Sequence, residues 1–305
     1  MTVPVRTNGP PTAWPHRALY DSVVHALHAL PSRFRSSLRI AGISATDLFT
    51  LNTPLGAAIE ASVVENLNQL RELWDPQGNY EVYSFVRQAQ VFPDVRLQTS
   101  APGVPEADRI LMGIELKGWF VLAKEGEPSF RYKASPNVCA PQDLLVVFPW
   151  ELDEVISGSP RLMRPLIEEA KYAAEHRNHY WEVLRGAQGD AAIVDLSPVT
   201  APYPSKGAKF NDKARADAGG NFGRVARGGL MTAFIDELLE VHLSGIPAKF
   251  WQRFLKIFSE GVDAAAVDRT IKALRTDAQK AGLEADGLEA FDRVQDALRD
   301  LVIRS

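Results

Sequence analysis

Ile110-Leu111-Met112-Gly113-Ile114-Glu115-Leu116-Lys117-Gly118-Trp119-Phe120-Val121-Leu122 decides the fold. Two glycines set among β-branched and aromatic residues make this run a strand rather than a helix. Side chains alternate along a strand, so Glu115 and Lys117 leave on one face while Leu116 turns the other way, into the core. Upstream, Gln90-Val91-Phe92-Pro93-Asp94 leads into Val95-Arg96-Leu97, which alternates as a strand does. Ser100 to Asp108, with Pro102-Gly103 and Pro105, is a turn-rich connection that folds the second strand back beside Asp94. Downstream, Asp143 to Phe148, with Leu144-Leu145-Val146-Val147 at its centre, has the unbroken apolar character of a buried central strand.

Outward from this hairpin the pattern is mostly helical. Tyr80 to Val86 reads as extended, but Thr53-Pro54 before it opens a helix whose apolar residues (Leu55, Ile59, Val63, Val64, Leu67, Leu70) recur at helical steps up to Trp74. Tyr20 to Leu30 is a second helix, ended by Pro31, and residues 1–16, with Pro4, Pro10, Pro11 and Pro15, form an irregular arm. A further helix is expected over about Arg161 to Leu184, and several more from Leu230 onward. The expected fold is therefore α/β, a mixed central β-sheet flanked by helices with a helical C-terminal region. A single domain spans 1–305, with a core over about 53–185, a basic loop over about 203–228 and the helical part over about 229–305.

Bulk properties narrow the class. At 305 residues, 46% hydrophobic and 24% charged, the chain can bury a sizeable core. A net charge of −4 excludes a protein coated in basic surface, but leaves room for a local basic cleft. The single cysteine, Cys139, forms no intrachain disulfide and no zinc cluster. No signal-peptide run opens the sequence, and no apolar stretch reaches the roughly 20 residues of a membrane span, so a cytoplasmic protein with no membrane partner is expected.

The chemistry suggested by the hairpin is phosphodiester hydrolysis. That reaction calls for a divalent metal at the phosphate and a water able to lose a proton. Magnesium takes carboxylate and carbonyl oxygens. Asp94 and Glu115 from neighbouring strands supply carboxylates, the Leu116 carbonyl supplies a third oxygen, and Lys117 stands ready to orient or activate the water. Gly113 and Gly118 flank the site and are read as relieving crowding where substrate approaches. Carboxylate-x-Lys occurs twice, as Glu115-Leu116-Lys117 and Glu169-Ala170-Lys171. The second lies in the expected helix, where a solvated salt-bridging face explains it. Only the first lies on a strand whose preceding strand opens on the chain's single Pro-Asp dipeptide.

This pattern resembles the Pro-Asp…(Asp/Glu)-x-Lys nuclease superfamily, and the wider stretch from Gln90 to Asp143 resembles its type II restriction endonucleases. The resemblance covers about the central third of the chain. It implies a restriction-endonuclease-like fold, Mg²⁺ held by Asp94 and Glu115, and a role for Lys117 with the attacking water. It also implies a further acidic residue from the preceding helix. Glu60, beside Ile59 and Val63 on the apolar stripe, is favoured over Glu65. Double-stranded DNA is the implied substrate and a homodimer the implied assembly, since protein symmetry then mirrors a palindromic site. A repair or structure-specific nuclease, or an inactive DNA-binding relative, is the alternative.

Between Tyr203 and Arg227, six cations (Lys206, Lys209, Lys213, Arg215, Arg224, Arg227) face two acids, Asp212 and Asp217. Lysine and arginine neutralise phosphates, and Arg and Asn can read base edges. Lys206, Lys209, Lys213, Asn221, Arg224 and Arg227 are thus candidate DNA contacts, with Phe222 beside them and Arg177 and Asn178 on a helix face. The pairs His25/His28 and His176/His179 lack further ligands for zinc. Gly219-Gly220-Asn221-Phe222-Gly223 lacks the Gly-Lys-Ser/Thr of a phosphate loop. Trp119 and Trp181 are read as core aromatics.

Overall fold

Alternating Val95 and Leu97 are buried while Arg96 and Gln98 between them are half-exposed, and this pattern builds strand β2 (Val95–Gln98) in a computed structural model. The structure describes residues 3–40, 52–257 apart from 124, 156 and 190, and 264–296 apart from 286, 290, 291, 294 and 295. β2 lies between β1 (Ser84–Arg87) and β3 (Ile110–Phe120), antiparallel to both. β3 then runs parallel to β4 (Leu144–Leu152), with Glu115 opposite Leu145 and Lys117 opposite Val147. β4 pairs antiparallel with both β5 (Pro160–Leu162) and β6 (Leu166–Glu169), which completes a six-stranded mixed sheet. Leu144 to Phe148 are all buried, as a central strand requires.

Helices cover this sheet. α1 (Arg17–Arg33) and α2 (Asn52–Gln69) pack together, α2 rests on β1 and β3, and the short α3 (Arg71–Trp74) follows it. α4 (Ala170–Glu182) packs on β4 and β6. Trp74, Trp119, Trp150 and Tyr132 fill the core between them. Among the described residues, no helix is long and apolar enough to cross a membrane.

The α/β expectation and the hairpin match this architecture, but several boundaries move. Pro31 lies inside α1 rather than ending it. Only two helical residues follow it, and Phe34 N still donates to Leu30 O at 2.8 Å, so one lost bond is tolerated. Extended structure begins at Ser84, with turns over 80–82. The helix expected from Arg161 starts only at Ala170, because Pro160 to Glu169 forms β5 and β6 instead. Apolar spacing alone does not separate a short buried strand from a helix.

That shift also changes Glu169-Ala170-Lys171, since Glu169 ends a strand and is buried rather than solvated. Its carboxylate accepts from Thr7 N, Thr7 Oγ1 and Gly9 N at 2.9 Å each, while Glu168 pairs with Arg6 at 2.7 Å. The two acids fasten the irregular N-terminal arm to the sheet. The C-terminal region holds α5 (Thr232–Leu239), α6 (Ala248–Ile257) and α7 (Ala264–Lys280). Short strand pairs also occur, β7 (Val194–Asp195) with β8 (Lys213–Ala214) and β9 (His242–Leu243) with β10 (Ile246–Pro247). Residues 258–263 and 297–305 of the expected helical part lie outside the described residues.

Candidate active site

The β2–β3 register brings the candidate residues together. Val95 pairs with Ile114, so Asp94 and Glu115 are the next residues outward on the two strands, just past the last rung. Asp94 Oδ2 accepts from Leu116 N at 3.1 Å and from Lys117 Nζ at 3.2 Å. Lys117 Nζ also donates to Glu115 Oε1 at 2.7 Å, and Asp94 N donates to Glu115 Oε2 at 3.3 Å. Leu116 is itself buried in the core. In extended backbone, a residue's N–H and C=O leave by the same strand edge. The Leu116 carbonyl therefore shares the Asp94 edge, where β2 no longer covers β3.

Close packing delivers the fourth group. Gly118 meets Gly56 of α2 so tightly that a Cβ on Gly118 would lie 3.3 Å from the Gly56 Cα. This approach lets Glu60 reach the strand, where Oε1 accepts from Gly118 N at 3.3 Å. Glu65 is exposed. Gly113 is equally constrained, because a Cβ there would overlap Pro93 and come within 2.8 Å of Asp143 Oδ1. Both glycines thus make room for protein rather than for substrate.

Three acids around one ammonium leave this pocket with surplus negative charge. Lys117 and Glu115 expose only 16% and 13% of their side chains, against 37% for Asp94, so solvent and ligands reach the cluster through Asp94. Burial pushes the Glu115 carboxyl up to about 7, against the opposing pull of Lys117. Glu60 is raised by the same cause. Burial also opposes the charge on Lys117, but Glu115, Asp94 and Glu60 outweigh it and hold the ammonium well above the usual lysine range.

Two carboxylates and a main-chain carbonyl make an all-oxygen donor set, and magnesium needs only one or two carboxylates besides waters. A divalent cation there would offset the surplus charge, so these residues fit the expected ion. Among the described residues, no group of three or more His, Cys, Asp or Glu side chains is arranged to hold a metal.

Asp94 and Glu115 open into a cleft of about 640 Å³ whose other wall includes Arg131, Lys133, Lys209, Asn211 and Lys213. Of the candidate DNA contacts, Lys209 and Lys213 line it, whereas Lys206 is exposed outside it. Arg224 and Arg227 point back onto the protein, to Glu125 at 3.3 Å and Glu127 at 2.9 Å. Asn221 accepts from Arg227 at 2.7 Å.

Arg177 and Asn178 are corrected outright, being 2% and 4% exposed. Arg177 donates to Tyr132 O, Ala134 O and Asn178 Oδ1, and meets Asp212 at 2.5 Å. Asn178 donates to the same Asp212 oxygen at 3.0 Å. These side chains hold the core together and have no face for DNA. Phe222 is likewise buried, edge-on to Trp181, and Trp119 is in the core.

Arg131 and Lys133 were not singled out from the sequence, and Asp143 and Tyr203 were read there only as bounds of longer stretches. Asp143 Oδ1 accepts from Gly113 N at 2.7 Å and from Tyr203 Oη at 3.0 Å, which ties the basic loop to β3. The charged residues flanking Tyr132 in Arg131-Tyr132-Lys133-Ala134 carry a period-two signal that could have marked the first pair. No family model matches the chain, and neither a curated protein nor a solved structure does.

Proposed function

We propose that this protein is a Mg²⁺-dependent endonuclease with a restriction-endonuclease-like fold, which cuts specific sites in double-stranded DNA as type II restriction enzymes do. The observation that carries this proposal is the meeting of Asp94, Glu115 and Lys117 at the rim of a cleft walled by cations. Bound by Asp94, Glu115 and the Leu116 carbonyl, Mg²⁺ supplies charge neutralisation and Lewis acidity at the phosphate. Glu115, Asp94 and Glu60 favour the ammonium form of Lys117 in the free site, and its contacts with Asp94 and Glu115 hold it where it can assist the attacking water. Asp94 holds both Lys117 and the Leu116 amide, which fixes the strand edge against which the phosphate lies. Cutting both strands of a palindrome is best served by a two-fold dimer.

Incubation of the protein with plasmid and phage DNA, in Mg²⁺ and in EDTA, tests this. Discrete metal-dependent bands are expected for the wild type. Asp94→Asn and Lys117→Ala should each lower the cleavage rate by at least about 100-fold, the scale on which loss of an electrostatic stabiliser acts. A smear would indicate a nuclease without site specificity. No cleavage with any divalent metal would overturn the proposal.

A further inference from the structure

The cationic wall of the cleft is a built element. Residues 131–135 and 209–213 run side by side, with an antiparallel bridge between Ala134 and Asn211. Ser135 N donates to Phe210 O at 3.0 Å, and Asp212 N to Lys133 O at 2.9 Å. Tyr132 and Asp212 are buried, while Arg131, Lys133, Lys209, Asn211 and Lys213, with Ala134 and Phe210 between them, line the cleft. From beneath, Arg177 binds both Tyr132 O and Ala134 O on one segment and Asp212 on the other. Arg177 thereby ties the two segments together.

None of those four cations pairs with a carboxylate among the described residues, whereas Arg224 and Arg227 nearby are paired with Glu125 and Glu127. Arg131 spends only its Nε, on Gly220 O at 2.6 Å. Like charges on neighbouring strand positions repel and weaken the fold. Residues two apart along one segment stand roughly 7 Å apart, so a polyanion lying in the cleft meets several of these cations at once. Among the described residues, Asp94 and Glu115 are the only acids lining this cleft.

We propose that this ribbon is the seat of the nucleic-acid backbone. Lys133, Lys209 and Lys213 each bind a phosphate of the strand whose scissile bond lies at Asp94 and Glu115, and Arg131 extends the track. The identity of the anion rests on the nuclease function proposed above.

Binding of a labelled duplex oligonucleotide, measured in EDTA across a salt series, provides the test. Removing one phosphate-binding cation should make the plot of log K against log salt shallower by about 0.9. Lys133→Ala, Lys209→Ala and Lys213→Ala should each show that change, their triple variant should bind at least about tenfold more weakly at physiological salt, and Lys213→Arg should restore the slope. Thermal melts matching the wild type confirm that the variants fold. If the wild type binds and cuts DNA while the triple variant keeps the wild-type slope, the ribbon assignment falls and the nuclease stands. A wild type that neither binds nor cuts DNA overturns both.

Discussion

Lys206, Lys209 and Lys213 of the basic loop are exposed and have no carboxylate partner among the described residues, whereas Arg224 and Arg227 further along are tied back to Glu125 and Glu127. Both halves carry the same sign of charge in sequence. The partners that neutralise the second half lie 99 and 100 residues away, where no local count of charges finds them. Cations left unpaired beside a cleft are available to a ligand. Cations already paired serve mainly to hold the loop.

The largest expected effect comes from cutting the node beneath the first half. Asp212 is fully buried and accepts from Arg177, Asn178 and Ser197 N. Burial lowers the Arg177 pKa, and Asp212 is the charge that opposes this most. Asp212→Ala would leave a buried guanidinium uncompensated, at a cost of roughly 3–5 kcal/mol. Urea unfolding should show a midpoint shift of that size. A change under about 1 kcal/mol would mean that the ribbon is anchored elsewhere.

A second anchor of the first half is Asp143, and it makes stability depend on pH. Burial pushes its carboxyl up to about 7, despite donors from Ala140 N, Tyr203 and Gly113 N. The folded state therefore keeps a proton that the unfolded chain releases near pH 4. Stability from this group is complete below about pH 4 and falls as pH rises to about 7. Glu115, also raised to about 7, adds a loss in the same direction. Urea midpoints measured from pH 4 to pH 8 should decline for the wild type. Asp143→Asn should decline less steeply, by on the order of a few kcal/mol across the window, whatever its absolute stability. Parallel curves would show that Asp143 is ionised throughout and that the loop anchor is insensitive to pH.

The same contrast explains what could be read in the sequence. The β2–β3 hairpin was legible because its signals are local: a period of two around Leu116, one Pro-Asp dipeptide, and a long apolar strand after it. Glu60 was separable from Glu65 because the helical stripe places it nearer the packed face. Arg177 and Asn178 were misread because polar side chains on a helix are usually exposed, and the acid that buries them lies 35 residues from Arg177. Glu169 was misplaced for a related reason, since its partners Thr7 and Gly9 belong to the N-terminal arm. Long-range polar pairing leaves no periodic trace.

The smallest expected effect falls on the second half of the loop and is the sharpest check on the contrast. Arg227 is 40% exposed and Glu127 34%, so solvent screens their attraction and the pair adds about 0–1 kcal/mol. Arg224 is more enclosed, at 15%, but its contact with Glu125 is 3.3 Å long and Glu125 is half-exposed. Arg224→Ala with Arg227→Ala should therefore lower stability by no more than about 1–2 kcal/mol. Neither arginine lines the cleft, so DNA affinity and its salt slope should match the wild type. If that slope instead falls by as much as the lysine variants lower it, the two arginines exchange their carboxylates for phosphates on binding. The division between a held half and a working half would then be a property of the free protein alone.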